Sequence, residues 1–447
     1  MGGVPHRPAR IERPRHPYRR ARHPGIRGRG CAGADQRARR ARRALGGPGG
    51  PGLPSADGRA SRRRTGAVRR PIAAVGSPAH LRARCPHSEW RSRLTRVLVS
   101  ARVLDKQVGG NTRYARTIYA GLSRFGVEHV LARPPLARGR ARSAVYAGWE
   151  GVAWPLAPGK GIDVLHYPAD TGAMIPARVP IVSTVHGLAT LHMEGVRSRR
   201  SDQLWRARVS RLVEVSDSVI TISNSSARDI DTIAPGSLSK ITVIPHGIDH
   251  STFTPVVGAD DEAERARFDI AGPYFLYLGN IDPRKNVVEL CRAAEKVFAA
   301  TGIPLLVSGA PAWESASIMQ VVESTPGVRY LGRVSDSALV PLIRGALAFV
   351  FPSKYEGFGF PVAEAMACGT PVVCSDRGSL GEVAGDAALI VPGLDADSIA
   401  GEMLRVAESE SLREDLRARG LRNVQRFQWD RSIHEHARVL TEAASHR

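Results

Sequence analysis

The sequence predicts an α/β protein built from two doubly wound, Rossmann-like domains that face a central cleft, preceded by a disordered basic segment. From residue 94 onward, short aliphatic runs alternate with amphipathic stretches, the pattern of parallel strands joined by crossover helices. The alternation comes in two series, separated by the polar, acidic stretch Gly258-Ala-Asp-Asp-Glu-Ala-Glu-Arg. Composition also breaks near residue 92. The first 90 residues hold 22 Arg, no Lys and four acids (Glu12, Asp35, Asp57, Glu89), and so carry most of the formal +22 of the 447-residue chain.

Residues 1–92 are rich in Arg, Gly, Pro and Ala and lack aliphatic periodicity. Such a segment cannot bury enough apolar surface to offset the entropy of ordering, so disorder is expected. It reads as a basic arm for nucleic acid or anionic lipid, as a tail without function, or as an over-extended start. The absence of Lys before Lys106 favours the last. Basic and acidic groups nearly balance in the rest of the chain, so no specific nucleic-acid partner is expected. The five cysteines form no C-x-x-C pair or zinc-finger spacing, which argues against a disulfide framework or structural zinc. No apolar run approaches the roughly 18–20 residues of a membrane span, and no signal-peptide pattern opens the chain. A cytoplasmic protein is expected, with at most a peripheral contact on the inner face of the membrane.

The first domain is expected over residues 94–255. It opens with the buried strand Leu94-Thr-Arg-Val-Leu-Val-Ser and continues through Asp163-Val-Leu-His-Tyr, Ile181-Val-Ser-Thr-Val, Ser218-Val-Ile-Thr-Ile and Ile241-Thr-Val-Ile. Arg197, Arg199, Arg200, Arg206, Arg208 and Arg211, interleaved with Leu204, Trp205, Val209 and Leu212, predict a basic amphipathic helix. It is read either as a solvated face over core or as a contact for anionic lipid. The second domain, expected over 268–425, runs through Tyr274-Phe-Leu-Tyr-Leu, Pro304-Leu-Leu-Val, Val328-Arg-Tyr-Leu, Ala346-Leu-Ala-Phe-Val-Phe, Pro371-Val-Val-Cys and Ala388-Leu-Ile-Val. A C-terminal helix is expected over 426–447. Ligands of such sheets bind outside the carboxyl ends of the strands.

The strongest constellation lies between two of those strands: Ser353-Lys-Tyr-Glu-Gly-Phe-Gly-Phe-Pro-Val-Ala-Glu-Ala-Met-Ala-Cys-Gly-Thr-Pro-Val-Val. Gly357 and Gly359 permit close backbone approach, and Pro361 suits a first helical turn. The helix start at Phe360, Pro361 and Val362 offers a positive dipole end to an anion such as a diphosphate. Glu356 in the loop and Glu364 in the helix can accept from sugar or ribose hydroxyls. Taken singly, either acid would also fit a solvated loop or a complement to the dipole. A second constellation, Leu276-Tyr-Leu-Gly-Asn-Ile-Asp-Pro-Arg-Lys-Asn, runs a strand into a turn that would aim Arg284 and Lys285 at the cleft. A planar fork and a point charge can together neutralise a leaving diphosphate. In the first domain, Gly109 and Gly110 follow the first strand without completing the G-x-G-x-x-G fingerprint, which argues against a nicotinamide dehydrogenase. His186 follows a strand in Ser183-Thr-Val-His-Gly-Leu.

The run Glu356-Gly-Phe-Gly-Phe-Pro-Val-Ala-Glu364 and its continuation resemble the signature of the retaining family 4 glycosyltransferases of GT-B fold, over about residues 94–440. The resemblance implies that Pro283-Arg-Lys-Asn is the diphosphate clamp and that the Gly109-Gly110 loop lies beside donor and acceptor. It also implies that His186 approaches the reacting sugar, that Glu356 with the amides of Phe358 and Gly359 binds the sugar, and that Glu364 binds the ribose. Asn280 stands where some members carry a further Arg, and Gly187 stands where many carry Asp. His246 and Gly247 read as hinge residues. The implied reaction moves a sugar, mannose from GDP-mannose as the first choice, from a nucleotide diphosphate donor to a glycan or lipid-linked hydroxyl. The resemblance implies that no metal and no other cofactor is required, because protein cations can supply the charge that a divalent ion would bring to the diphosphate. The alternatives are a UDP-sugar epimerase of similar shape and a nucleic-acid binder acting through the basic tail.

Overall fold

The computed structural model describes residues 94–106, 109–135, 142–193 and 198–446. The segment expected to be disordered, with Cys31 and Cys85, lies outside the described residues, as does Arg197. The first domain contains one parallel sheet of strands β1 (Thr95–Ser100), β2 (Val127–Ala132), β3 (Val164–Tyr167), β4 (Ile181–Val185), β5 (Ser218–Thr221) and β6 (Ile241–Val243), in the order β2-β1-β3-β4-β5-β6. Its helices are α1 (Gly110–Leu122), α2 (Arg142–Gly148), α3 (Trp154–Leu156), α4 (Arg199–Val215) and α5 (Asn224–Ile233). Strand β2 was not foreseen in the sequence. It is an edge strand whose Glu128, His129 and Val130 are all exposed, so it lacks the apolar run that marks its neighbours.

The second sheet comprises β7 (Phe275–Leu278), β8 (Leu305–Ser308), β9 (Val328–Tyr330), β10 (Ala348–Phe351), β11 (Val372–Cys374) and β12 (Leu389–Ile390), in the order β12-β11-β10-β7-β8-β9. Around it lie α6 (Asp261–Ala266), α7 (Val287–Thr301), α8 (Ala316–Ser324), α9 (Asp336–Gly345), α10 (Phe360–Ala367), α11 (Leu380–Ala384), α12 (Ala396–Glu408) and α13 (Glu410–Asn423). The strands β3, β4, β7, β8, β10 and β11 are buried at every position. Helices cover both faces of a parallel sheet, so its central strands read as continuous apolar runs and not as alternation.

Each sheet reverses its strand order once. In the first the reversal falls between β1 and β3, where Val97 is paired with Val164. In the second it falls between β7 and β10, where Ala348 is paired with Phe275. Loops leaving the carboxyl ends of two strands diverge at such a point and open a crevice. The segments after Ser100, Tyr167, Leu278 and Phe351 therefore line the two crevices.

The last helix, α14 (Trp429–Ser445), follows the second domain in sequence but packs on the first. Ile433, Ala437, Leu440 and Ala443 join Tyr114, Ile118 and Leu122 of α1 in one buried cluster. A Cβ on Gly121 would stand 2.6 Å from the Ile433 side chain, so the helices touch where α1 has no side chain. The returning segment pairs with the outgoing one, the Ile248 amide donating to the Phe427 carbonyl at 3.0 Å. Gly247 fits beneath Trp429, whose backbone nitrogen lies 2.3 Å from where a Cβ would be. Leu440 is fully buried, so Leu440→Ala should cost ~2–5 kcal/mol of stability. A denaturant titration reads this directly, and a loss below ~1 kcal/mol would mean that α14 does not close the first domain's core.

Candidate active site

The loop after β7 is shaped by its own side chains. Asp282 caps the short turn Pro283–Lys285, its carboxylate accepting from the Arg284 amide at 3.0 Å. Asn286 then takes a left-handed conformation (φ 58°) that Asn tolerates, and α7 departs from it. Lys285 is thereby turned inward. Its side chain is only 9% exposed, donates to Glu356 Oε1 and lies over the Phe351 ring, 4.9 Å from the centroid. Arg284 stays at the margin, 3.5 Å from the Asp282 carboxylate, with a buried Nε that has no partner among the described residues. Its carbonyl accepts from the Lys354 amide at 2.8 Å, which ties the two loops of the second crevice together.

The loop after β10 carries Glu356 to the same place. The Glu356 carbonyl accepts from both the amide and the hydroxyl of Ser379, each at 3.0 Å. Gly359 has φ 97°, where an L side chain is strained, and α10 starts after it with Pro361 in the first turn. Val362 and Ala363 donate back to the Gly359 carbonyl, while the amides of Phe358 and Gly359 meet no acceptor among the described residues. Glu364 is buried and pairs with Arg113 of α1 at 2.5 Å. Burial raises the Glu364 pKa, and Arg113 acts in the opposite direction.

From the first domain, Gly110 brings α1 against Phe360; a Cβ there would stand 3.6 Å from the ring. Arg113 lies over the same ring at 5.1 Å. His186 follows β4, its amide donating to Asp170 at 2.9 Å and its Nε2 to the Pro168 carbonyl at 3.0 Å, which leaves a buried Nδ1 without a partner among the described residues. The two backbones meet at this point: a Cβ on Gly357 would stand 2.2 Å from the His186 carbonyl. Gly187 has φ 134° and faces the Gly357 Cα and the Tyr355 hydroxyl. The structure thus gathers His186, Gly110, Lys285, Glu356, Gly357, Phe358, Gly359, Phe360, Pro361, Val362 and Glu364 around one cleft, with Arg284 at its edge.

Several partners had no signal in the sequence. Arg113 belongs to the Gly109-Gly110-Asn111-Thr112-Arg113 segment, but its pairing with Glu364 spans 251 positions. Tyr355 donates to Asp229 at 2.7 Å and accepts from the Leu188 amide at 3.1 Å. Glu382 accepts from the Asn224 and Ser225 amides at 2.8 and 2.6 Å, meeting the amino end of α5, which Ser223 caps through the Ser226 amide. Leu204, grouped in the sequence with a helix's core-facing residues, is 65% exposed, whereas Val209, Leu212 and Val213 form the buried face of α4.

Behind His186 lies a buried relay whose protons all point one way. With both rings neutral and His436 Nδ1 donating to the Ser432 carbonyl (2.7 Å), Tyr114 donates to His436 Nε2 (2.8 Å), Thr184 to Tyr114 (3.0 Å), His166 Nε2 to Thr184 (3.0 Å) and Tyr119 to His166 Nδ1 (2.9 Å). Burial, with smaller contributions from the neighbouring histidines, pushes His166 down to about 3 and His436 to about 4. Burial likewise lowers His186 and holds His246 well below its usual range.

Two facing doubly wound sheets whose switch-point loops meet across one cleft define the GT-B class. The model described as "Glycosyl transferases group 1" matches residues 260–422, and that described as "Glycosyltransferase Family 4" matches residues 108–252. The chain belongs to this glycosyltransferase family. It is 44% identical over 162 residues to O-antigen chain mannosyltransferase B of Escherichia coli, covering 35% of this chain and 42% of that protein. It is 27% identical over 287 residues to D-inositol 3-phosphate glycosyltransferase of Jonesia denitrificans, covering 58% of this chain and 67% of that one. The matched part of the first relative is thus less than half its length. Among solved structures, sucrose-phosphate synthase from Thermosynechococcus elongatus superposes with a TM-score of 0.63 at 20% identity, covering 78% of this chain and 98% of that one. Anabaena HepE in complex with UDP and glucose gives 0.60 at 16%, covering 78% and 99%. Among the described residues no helix is long and apolar enough to cross a membrane, and no three His, Cys, Asp or Glu side chains form a metal-binding group.

The neutral histidines make stability depend on pH. A histidine whose folded pKa lies below its unfolded value of ~6.5 takes up a proton on unfolding, so stability is full above that value and falls as pH drops toward the folded pKa. Each such histidine contributes a slope of ~1.4 kcal/mol per pH unit in that window. Denaturation midpoints should therefore fall between pH 7.5 and 5.5, and His436→Gln should flatten that dependence. An unchanged profile in the variant would remove His436 from the set held neutral.

Proposed function

We propose that the protein is a retaining hexosyltransferase that moves a sugar from a nucleotide diphosphate donor, GDP-mannose as the first choice, to a hydroxyl of a glycan or lipid-linked acceptor. The observation that carries this reading is the second switch point, where Arg284, Lys285, Glu356 and the start of α10 converge beneath His186. The bond from the sugar's anomeric carbon to the diphosphate breaks as the acceptor oxygen bonds to the same face, and the acceptor proton passes to a departing diphosphate oxygen. Charge developing on that group is met by Arg284, Lys285 and the helix terminus, in a site whose electrostatics are strengthened by exclusion of water. No divalent cation takes part in this reading. Glu356 and the amides of Phe358 and Gly359 hold the sugar, Glu364 the ribose, and His186 approaches the sugar from the first domain. The mannosyltransferase relative supports the choice of mannose, and the crevices at both switch points support a donor on the second domain and an acceptor on the first.

The test is nucleotide release across GDP-mannose, UDP-glucose, UDP-N-acetylglucosamine and ADP-glucose, with and without a lipid-linked sugar acceptor. Acceptor-dependent release from one donor, undiminished by EDTA, is expected. Acceptor-independent release from a UDP-sugar would point instead to an epimerase. Lys285→Ala or Glu356→Ala leaves an uncompensated buried charge and should cost ~3–5 kcal/mol of stability as well as most activity. The double variant Lys285→Met/Glu356→Leu separates the two effects, because replacing both charges restores stability while turnover stays lower by orders of magnitude. Near-wild-type turnover in the double variant would refute the assignment.

A further inference from the structure

A cavity of about 610 Å³ opens at the switch point of the first sheet, beside Ser100 at the end of β1 and Pro168–Thr171 after β3. It is lined at its base by Gly110 and on one side by Leu204, Trp205 and Arg208 of α4. Its charged groups are unevenly matched. Glu150, 1% exposed, accepts from the Ser100 hydroxyl at 2.6 Å and from Arg102 at 3.0 Å, and Arg102 also reaches the Thr171 hydroxyl at 3.2 Å. Asp170 is engaged by the His186 amide at 2.9 Å. Arg208 is half-buried and has no hydrogen-bond or ion-pair partner among the described residues. Its surroundings disfavour its charge: burial and the nearby Arg102 lower its pKa, and the opposing attraction comes from Glu150, a carboxylate already bonded to two other groups.

A guanidinium partly withdrawn from water, with no carboxylate bonded to it, is left with unmet donors, and its planar fork matches the geometry of an oxyanion. The exposed Leu204 and the half-buried Trp205 stand beside it in the same wall, an apolar flank of the kind that accepts the face of a sugar ring or the start of a lipid chain. We propose that this cavity receives an acceptor carrying an oxyanion, a phosphate or a carboxylate, which Arg208 grips with help from Arg102 while the acceptor hydroxyl points past Gly110 toward His186 and Gly357. The proposal rests on the transferase reading and adds to it the chemical class of the acceptor.

Calorimetric titration of the full chain tests it, with mannose 1-phosphate, glucuronate and uncharged mannose as probes, each with and without saturating GDP or UDP. At least one charged probe should bind ten-fold or more tightly than mannose, and nucleotide should not displace it. Arg208→Gln should weaken that probe about ten-fold while leaving mannose and nucleotide binding unchanged, and Arg208→Lys should recover part of the loss. Preference for the phosphate or for the carboxylate names the source of the oxyanion. Equal binding of charged and neutral probes, displacement of the charged probe by nucleotide, or indifference to Arg208→Gln would each overturn the proposal. Nucleotide binding in the same titrations is scored separately: if it persists while the anion effect is absent, only the acceptor class falls, and if it is absent the transferase reading falls as well.

Discussion

A lysine and a glutamate from two different loops, buried against each other at the switch point of the second sheet, set the geometry on which the cleft depends. Lys285 reaches Glu356 only because Asp282 caps a tight turn and Asn286 adopts a left-handed conformation just before α7. Glu356 is held in turn by Ser379 through its carbonyl. Desolvating two charges is unfavourable unless each satisfies the other, so the pair fixes the separation of the two loops. With that separation fixed, Gly357 meets the His186 backbone and α10 begins where its amino end faces the cleft.

The two domains are joined by more than the chain. Arg113 holds Glu364, Tyr355 holds Asp229 and the Leu188 amide, and Glu382 meets the start of α5. These contacts differ in kind. The Tyr355 and Glu382 contacts bind one domain to the amides and helix of the other, whereas the Arg113 contact occupies an oxygen of Glu364. In the proposed reaction a ribose bound by Glu364 competes with Arg113, so donor entry and movement of α1 relative to α10 are coupled.

The fold was legible where burial was complete. Runs such as Tyr274–Leu278 and Ala346–Phe351 announce central parallel strands because helices cover both faces, while the exposed edge strand Val127–Ala132 announces nothing. The second half of the site was legible for a similar reason: Glu356, the glycines and Pro361 lie within a few positions of one another, and Arg284 and Lys285 share one turn. Contacts made at long separation were silent. Arg113 with Glu364, Asp229 with Tyr355, and Arg102 with Glu150 are each ordinary charged or polar residues in their local sequence, and only the folded chain brings them together. The exposure of Leu204 escaped the helical pattern because an apolar residue can be read as core when it belongs to the wall of a cavity.

The return of α14 to the first domain has a consequence for how the protein is made. During synthesis the first sheet leaves the ribosome early and packs one side of Tyr114, Ile118 and Leu122, but the face of α1 that meets α14 stays uncovered until residues 433–443 arrive. The second domain's core draws on its own residues together with Ile222, Ile248 and Phe253, all of which have already been made when it emerges, so it does not wait for later chain. The earlier half of the chain therefore waits for the later half. For that interval its exposed face is open to a chaperone or to another nascent chain, and assembly ends with the N-terminal domain.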